Sequence, residues 1–368
     1  GRDHHMVRWT CSASRREQVI EALLGFQAAD AVRMDPHSRL AFVYSGMGPQ
    51  WNGMGRELYA TESVFRKIID DIGSYCENIL SWHLTDAFTG GLDDEQMAQT
   101  LYAQPANFAL QVGLTELLKS WGIIPTAVCG HSAGEPAAAY AAGALSLEDA
   151  TLVSISRSIT QQRMAGQGRL LAIGCSHQQV MDILSGWQRD NRIETAAINS
   201  PSSCALVGPE KELSALSEHL DGLEIFNRLV PGTIPYHSSW MEPLEPEIKQ
   251  RLDGIKPKST TIPMMSTVTG ELIDGTMLNA EYWYNNVRQP VRFESAVAGL
   301  LDLGCDVLLE ISPHPALGRS IVETIAEHTH ASGRTTAVLR REMPERECLL
   351  EALGELYRWG VPIGWGAL

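Results

Sequence analysis

The run Gly130-His131-Ser132-Ala133-Gly134, inside the stretch CGHSAGEPAAAYAAGAL at 129–145, constrains the fold more than any other feature of this chain. A short apolar segment, PTAVCG at 125–130, precedes it, and alanine-rich sequence with helical preference follows. A strand that becomes a helix within one sharp corner throws its serine into the open and brings the backbone past itself, so the flanking positions need minimal side chains. The helix N-terminus then offers N–H groups and the positive end of its dipole to a developing oxyanion. A serine that only caps a helix fits the same five residues. The strand before and the helix after favour the nucleophile elbow. Pro136, four residues past Ser132, cannot donate a hydrogen bond back to that residue, which delays the regular helix.

Around this corner the chain alternates strand-like and helix-like segments. RLAFVYSGMGPQW at 39–51 reads as a strand running into a glycine-rich turn. VFRKIIDDIGSYCENI (64–79) and ANFALQVGLTELLKSWG (106–122) carry helical spacing. The alternation predicts an α/β fold with a parallel sheet covered on both faces. Between 168 and 230 the order changes: RLLAIG, SHQQVMDILSG, IETAAIN, SCALVG, EKELSALSEHLDG and LEIFNRLV give strand-helix-strand-strand-helix-strand, the ferredoxin-like order. Pro201 and Ser202 mark the turn between the middle strands. Strands resume with TTIPMMSTV (260–268), DVLLEIS (306–312) and TTAVLRR (335–341), before a helix in ECLLEALGELYRWG (347–360). The expected organisation is a linker α/β segment over 1–38, with a strand in HMVRWTCS and a helix presenting Val19, Ile20, Leu23 and Leu24 on one face. A large α/β subdomain spans 39–167 and 231–345, a ferredoxin-like small subdomain is inserted at 168–230, and 346–368 form a C-terminal helix and trailing linker.

At 368 residues the chain can bury a sizeable core, and its 44% apolar and 20% charged residues are those of an ordinary globular protein. A formal charge of −15 argues against a nucleic-acid partner, while leaving room for a local basic group that holds a small anion. Seven cysteines without a C-x-x-C pair fit reduced thiols and a cytoplasmic location. No apolar run approaches the ~18 residues that span a bilayer. Residues 1–12 are polar and histidine-bearing, unlike a secretory signal, and the absence of an initiator Met reads as a piece of something longer.

A serine needs a base to act as a nucleophile at neutral pH. Of eleven histidines, His4, His5 and His37 lie outside the sheet pattern, His177 and His219 fall on amphipathic helices, and His328 and His330 lie in a polar stretch. His83, His131, His237 and His314 remain. His131 adjoins the serine, but neighbours at an elbow point apart. His237, in TIPYHSSWMEPL, stands where the chain leaves the insert, a natural cleft wall. It ranks first; His314, in EISPHPALG just past a strand, ranks second.

These segments, GHSAGE with YSGMGPQWNGMG upstream and ISRSITQQR, YHSSWMEPL, YWYNNVRQPVRF and EISPHPALG downstream, together resemble the acyltransferase domain of modular polyketide synthases and animal-type fatty acid synthases. The resemblance to this malonyl-CoA:acyl carrier protein transacylase-like family covers about 38–355, with the motifs in the family's order. It implies an α/β-hydrolase-like large subdomain with the inserted ferredoxin-like one. It also implies a Ser-His dyad of Ser132 and His237 that moves an acyl group from coenzyme A to the serine, then to the phosphopantetheine thiol of an acyl carrier protein. It places the oxyanion hole at the backbone N–H groups of Met47 and Ala133, the carboxylate-binding residue at Arg157, and pocket residues at Gln104, His131, Asn199, Ile234, Pro235 and Tyr236. Arg157 implies a cargo with a free carboxylate. The partners implied are an acyl-CoA, an acyl carrier protein and a neighbouring ketosynthase domain, with no permanently bound cofactor and no metal. The family commonly reads G-Q-G where this chain has Gly46-Met47-Gly48, and H-A-F-H (malonyl) or Y-A-S-H (methylmalonyl) where it has Ile234-Pro235-Tyr236-His237. Tyr236 should crowd an α-methyl, which favours malonyl, with methylmalonyl, an unusual α-substituted malonyl or a carrier-delivered unit as alternatives. A serine hydrolase would share the elbow but not need Arg157, and an idle structural domain would not need the dyad.

Overall fold

The computed structural model describes residues 4–13, 15–187, 192–328 and 333–368. At the start β1 (Val7–Arg8) pairs antiparallel with β2 (Val32–Arg33), and helix α1 (Arg16–Gly25) lies between them in sequence. The expected strand over 5–12 is therefore only two residues long. α1 buries none of its residues; its apolar face stays open, with Leu24 82% exposed.

β3 (Leu40–Tyr44) is buried along its whole length, which explains its unbroken apolar sequence. Its residues alternate: Leu40, Phe42 and Tyr44 join the core on one side of the sheet, Ala41 and Val43 the core on the other. Two helices build much of the first of these cores. α2 (Ser63–Cys76) contributes Phe65, Ile69, Ile72 and Cys76 from one face, α3 (Thr100–Ser120) is buried on nearly every side, and both precede β4 (Ala127–Gly130), which pairs parallel to β3. The chain then turns through the elbow into α4 (Glu135–Ala141) and α5 (Leu147–Gln162).

The middle of the chain forms a second sheet. β5 (Arg169–Ile173), α6 (His177–Gly186), β6 (Glu194–Ser200), β7 (Ser203–Gly208), α7 (Glu210–Gly222) and β8 (Asn227–Leu229) follow the expected order. The strands lie β6-β7-β5-β8, all antiparallel, which is the ferredoxin-like arrangement. β8 is shorter than the expected 223–230, because Leu223 ends α7 and Glu224 takes a left-handed turn at φ 57.

The chain returns to the first sheet through β9 (Met264–Met265) and β10 (Leu272–Ile273), then places β11 (Val291–Arg292) parallel to β6. The small sheet thus takes its fifth strand from far outside 168–230. β12 (Val307–Ile311) and β13 (Arg334–Ala337) complete the large sheet, in the order β10-β9-β4-β3-β12-β13. It is parallel from β9 to β13, with β10 an antiparallel edge.

The elbow shows why its glycines are needed. A Cβ on Gly130 would stand 2.5 Å from the backbone of Gly134 and Glu135, and one on Gly134 would stand 2.5 Å from the carbonyl oxygens of Tyr44 and Ser45. Ser132–Gly134 form one 3-10 turn before α4 begins, so Pro136 sits in the first helical turn, where no in-helix donor is needed. The delay expected from Pro136 is this turn. Gly134→Ala forces β3 and the elbow apart and should destabilise the fold by about 3 kcal/mol, read as a lower denaturation midpoint. An unchanged midpoint would show that the corner can relax.

Candidate active site

Ser132 stands at φ 51 and His237 at φ 57, both in the left-handed region that non-glycine residues rarely occupy. Their side chains meet: Ser132 Oγ lies 2.6 Å from His237 Nε2. His237 Nδ1 is 2.9 Å from the carbonyl oxygen of Gln289, the residue after α8 (Ala280–Arg288). A carbonyl only accepts, so Nδ1 carries the proton and Nε2 turns its lone pair to the serine. The Ser238 hydroxyl donates to Pro235 O at 2.6 Å, and the Ser239 amide donates to Glu194 on β6, so the histidine turn is tied down on both sides. Burial, the Arg157 charge and His131 together hold the His237 imidazole down at a pKa of about 3.

Arg157, on α5, is almost fully buried. One terminal nitrogen lies 3.5 Å from Ser132 Oγ, and the other donates to Gln104 Oε1 at 3.0 Å. Burial lowers its pKa to about 10, with Glu135 opposing, so it stays cationic at neutral pH. Among the described residues no carboxylate comes within ion-pair distance of it. Gln104 Nε2 in turn donates to Gln161 Oε1 at 2.6 Å and approaches Met47 Sδ at 3.5 Å.

The Met47 loop leans on the elbow: a Cβ on Gly46 would stand 3.0 Å from His131 and 3.7 Å from Ser132 Cβ. Two buried residues of α3 hold this loop. Asn107 Nδ2 donates to Gly46 O at 3.0 Å, and Gln111 Nε2 donates to Ser45 O at 2.8 Å. Neither was singled out from the sequence. The signal was there: Gln104, Asn107, Gln111 and Thr115 recur every three or four residues on an otherwise apolar helix, one polar stripe aimed at one target. Tyr236 shares a hydrogen bond with Thr100, and its hydroxyl reaches Met47 Sδ at 3.6 Å. Ile234 and Pro235 are buried beside it.

Below the serine, Glu135 is fully buried. Its carboxylate accepts from the Thr267 amide at 3.0 Å, from the Tyr282 hydroxyl at 2.6 Å and from Asn286. Burial pushes its pKa up to about 7 against these hydrogen bonds. Asn286 also reaches Ser132 O at 3.5 Å. His131 does not face Ser132; its Nε2 meets Asn199 Oδ1 at 2.9 Å and its ring packs edge-on to Phe293, which ties the elbow to β6. Ala133 is buried beside the serine.

The second-ranked histidine, His314, is not in this cluster. It is exposed and accepts from the Arg341 amide at 3.2 Å, because the loop after β12 runs toward the C-terminal segment. His83 is likewise exposed, Trp51 packs against the core and donates to Pro313 O, and His330 lies outside the described residues. No group of three or more His, Cys, Asp or Glu residues able to hold a metal occurs among the described residues, and no helix among them is long and apolar enough to cross a membrane.

A parallel-sheet protein with a serine on a strand-to-helix corner, a histidine against it and a buried cation beside both has the design of an α/β acyl-transfer enzyme. The family model described as the acyl transferase domain matches residues 41–361, and the chain belongs to that family. It is 36% identical over 331 residues to polyketide synthase GfsB of Streptomyces halstedii, covering 90% of this chain and 6% of that protein. To erythronolide synthase EryA2 of Saccharopolyspora erythraea it is 36% identical over 322 residues, 86% of this chain and 9% of the relative. The chain therefore spans less than a tenth of the length of either relative. Among solved structures, the acyltransferase domain from module 8 of the salinomycin polyketide synthase superposes with a TM-score of 0.89 at 34% identity, over 96% of this chain and 85% of that one. A loading acyltransferase from the avermectin modular polyketide synthase gives 0.81 at 33% identity, over 86% and 99%.

Proposed function

We propose that this chain loads a malonyl unit from coenzyme A onto Ser132 and passes it to the phosphopantetheine thiol of an acyl carrier protein, as one domain of a cytoplasmic polyketide synthase beside a ketosynthase. We assign 39–167 and 231–345 to the large subdomain and 168–230 to the small one. Ser132 Oγ attacks the thioester carbonyl while His237 Nε2 takes its proton; the C–S bond breaks, and the same proton leaves with the coenzyme A thiolate. The carrier thiol then gives its proton to Nε2 and attacks the serine ester; the C–O bond breaks, and the same proton returns from Nε2 to Ser132 Oγ as the serine is released. The amides of Met47 and Ala133 stabilise the oxyanion in both halves, and the Gln289 carbonyl, accepting from Nδ1, orients the base without an acidic third member.

The observation that carries this reading is Arg157: a buried cation 3.5 Å from the nucleophile oxygen and without a carboxylate partner among the described residues. A cation so placed is left for the cargo, and a guanidinium grips a carboxylate with two parallel hydrogen bonds. Gln104 keeps it turned to the serine. A hydrolase acting on neutral esters has no use for that charge. The choice of malonyl over methylmalonyl is supported by Tyr236, a bulky aromatic next to the base whose hydroxyl is held by Thr100 and Met47 and which should crowd an α-methyl. One methyl distinguishes by about 10- to 200-fold.

The test is intact-protein mass spectrometry after exposure to equal malonyl-, methylmalonyl- and acetyl-CoA. The malonyl adduct should dominate on Ser132 and move to a carrier protein added afterwards. Arg157→Ala should lower malonyl loading by about 100-fold and spare acetyl loading. Equal loss of both would remove the carboxylate role, and a methylmalonyl adduct in excess would overturn the substrate assignment.

A further inference from the structure

We propose that Gln161 is a positioning residue for the cargo's carboxylate: it fixes the orientation of the Gln104 amide, and through it the Arg157 guanidinium. The proposal rests on the carboxylate-binding reading of Arg157 and goes beyond it to a residue that touches neither cargo nor nucleophile.

The argument is one of hydrogen-bond polarity. Arg157 has only donors, so the atom of Gln104 that faces it at 3.0 Å must be the oxygen. The amide nitrogen of Gln104 then faces the opposite way, and both groups it meets accept: Gln161 Oε1 at 2.6 Å and the weak acceptor Met47 Sδ at 3.5 Å. Gln161 supplies the strong end of this relay. Without it the Gln104 amide loses its main reason to keep its oxygen toward Arg157, and a flipped amide would turn N–H groups against a guanidinium.

The sequence builds the relay cheaply. Arg157 and Gln161 are four residues apart on α5, hence on one helix face, while Gln104 answers from α3. All three are at most 2% exposed, so water cannot replace a missing partner. Gln161 Nε2 has no hydrogen-bond partner and is buried, a cost that an apolar residue here would avoid. The adjacent Gln162 faces elsewhere: its Oε1 accepts from the Leu101 amide at the start of α3. Consecutive glutamines thus hold the same helix at two points, and only Gln161 connects to the arginine.

The relay predicts an effect on binding of carboxylated cargo alone. In self-acylation of the intact domain, Gln161→Leu should raise the half-saturating malonyl-CoA concentration about tenfold, change the maximal rate less than about twofold and leave acetyl-CoA kinetics unaltered. Gln161→Met, closer in shape to glutamine, should give the same pattern and covers the case in which the leucine variant fails to fold. Because Gln161 acts through Gln104, the double variant Gln104→Leu/Gln161→Leu should be no worse than Gln104→Leu alone. Equal losses for malonyl and acetyl donors, no loss at all, or losses that multiply in the double variant would each overturn the proposal. Arg157→Ala in the same series separates the two ideas. If it fails to change malonyl-over-acetyl selectivity, the carboxylate reading itself is wrong. If it does change selectivity while Gln161→Leu does not, only the relay is.

Discussion

Replacing Ser132 with alanine should abolish the covalent acyl adduct in intact mass and lower transfer to a carrier thiol by at least about a thousandfold. The expectation follows from geometry: Oγ is the atom within 2.6 Å of His237 Nε2 and 3.5 Å of Arg157, and alanine removes that atom alone. An adduct that persists in Ser132→Ala would sink the assignment. The same position separates function from stability. Ser132 holds φ 51, a conformation that costs a residue with a side chain about 1–2 kcal/mol. Ser132→Ala keeps that cost, whereas Ser132→Gly removes it and gives back part through the freer unfolded chain. The glycine variant should therefore be equally inactive yet more stable than the alanine variant by about 1 kcal/mol, read from denaturant midpoints. A glycine variant less stable than alanine would show that the elbow is not strained.

The elbow was legible because its demands are local. Gly130 and Gly134 stand where a Cβ would meet backbone at 2.5 Å, and no distant residue can relieve that contact. The small sheet was legible for a related reason: four of its strands and both helices follow one another within one continuous stretch, in the chain order of the ferredoxin-like motif. Features built by distant partners escaped. β11 is two residues long, too short for any period, and joins β6 only because the chain after α8 returns to that edge. Glu135 reads as an ordinary first-turn acid of a helix; its burial depends on Thr267, Tyr282 and Asn286 converging from more than 130 residues away. His314 ranked second because a loop after a strand is a common place for a site, but that loop runs toward Arg341 rather than the elbow. Arg157 on its own is one arginine on a helix. Its meaning came from the family resemblance, and its burial beside Ser132 then supplied the physical reason.

His237→Gln should lower acylation by about 10²–10⁴-fold, since it removes the proton acceptor but keeps a side chain that can reach Ser132. The pH dependence distinguishes this site from a histidine of ordinary basicity. Burial first, then the Arg157 charge and His131, hold the imidazole at a pKa of about 3 instead of 6.5. Nε2 is then a free acceptor throughout the neutral range, so the rate of acylation should stay flat from pH 8 down to about pH 5, with no acid limb near 6.5. An acid limb centred at pH 6–7 in the wild type would contradict the buried, cation-flanked base. The same shift has a consequence for stability. The unfolded chain binds a proton at His237 that the folded chain refuses, so folding stability from this group is fully present above about pH 6.5 and is lost as pH falls toward 3, by about 1.4 kcal/mol per unit within that window. Glu135, Glu310 and Glu345 work the other way, since burial raises their pKa values and their protonation favours the folded state. The histidine contribution must therefore be read as the difference between wild type and His237→Gln. The variant should gain on the wild type steadily as pH is lowered from 6.5 to 5, because it has no imidazole to charge. Parallel stability curves over that interval would mean that neither burial nor the Arg157 charge holds His237 neutral in the folded chain.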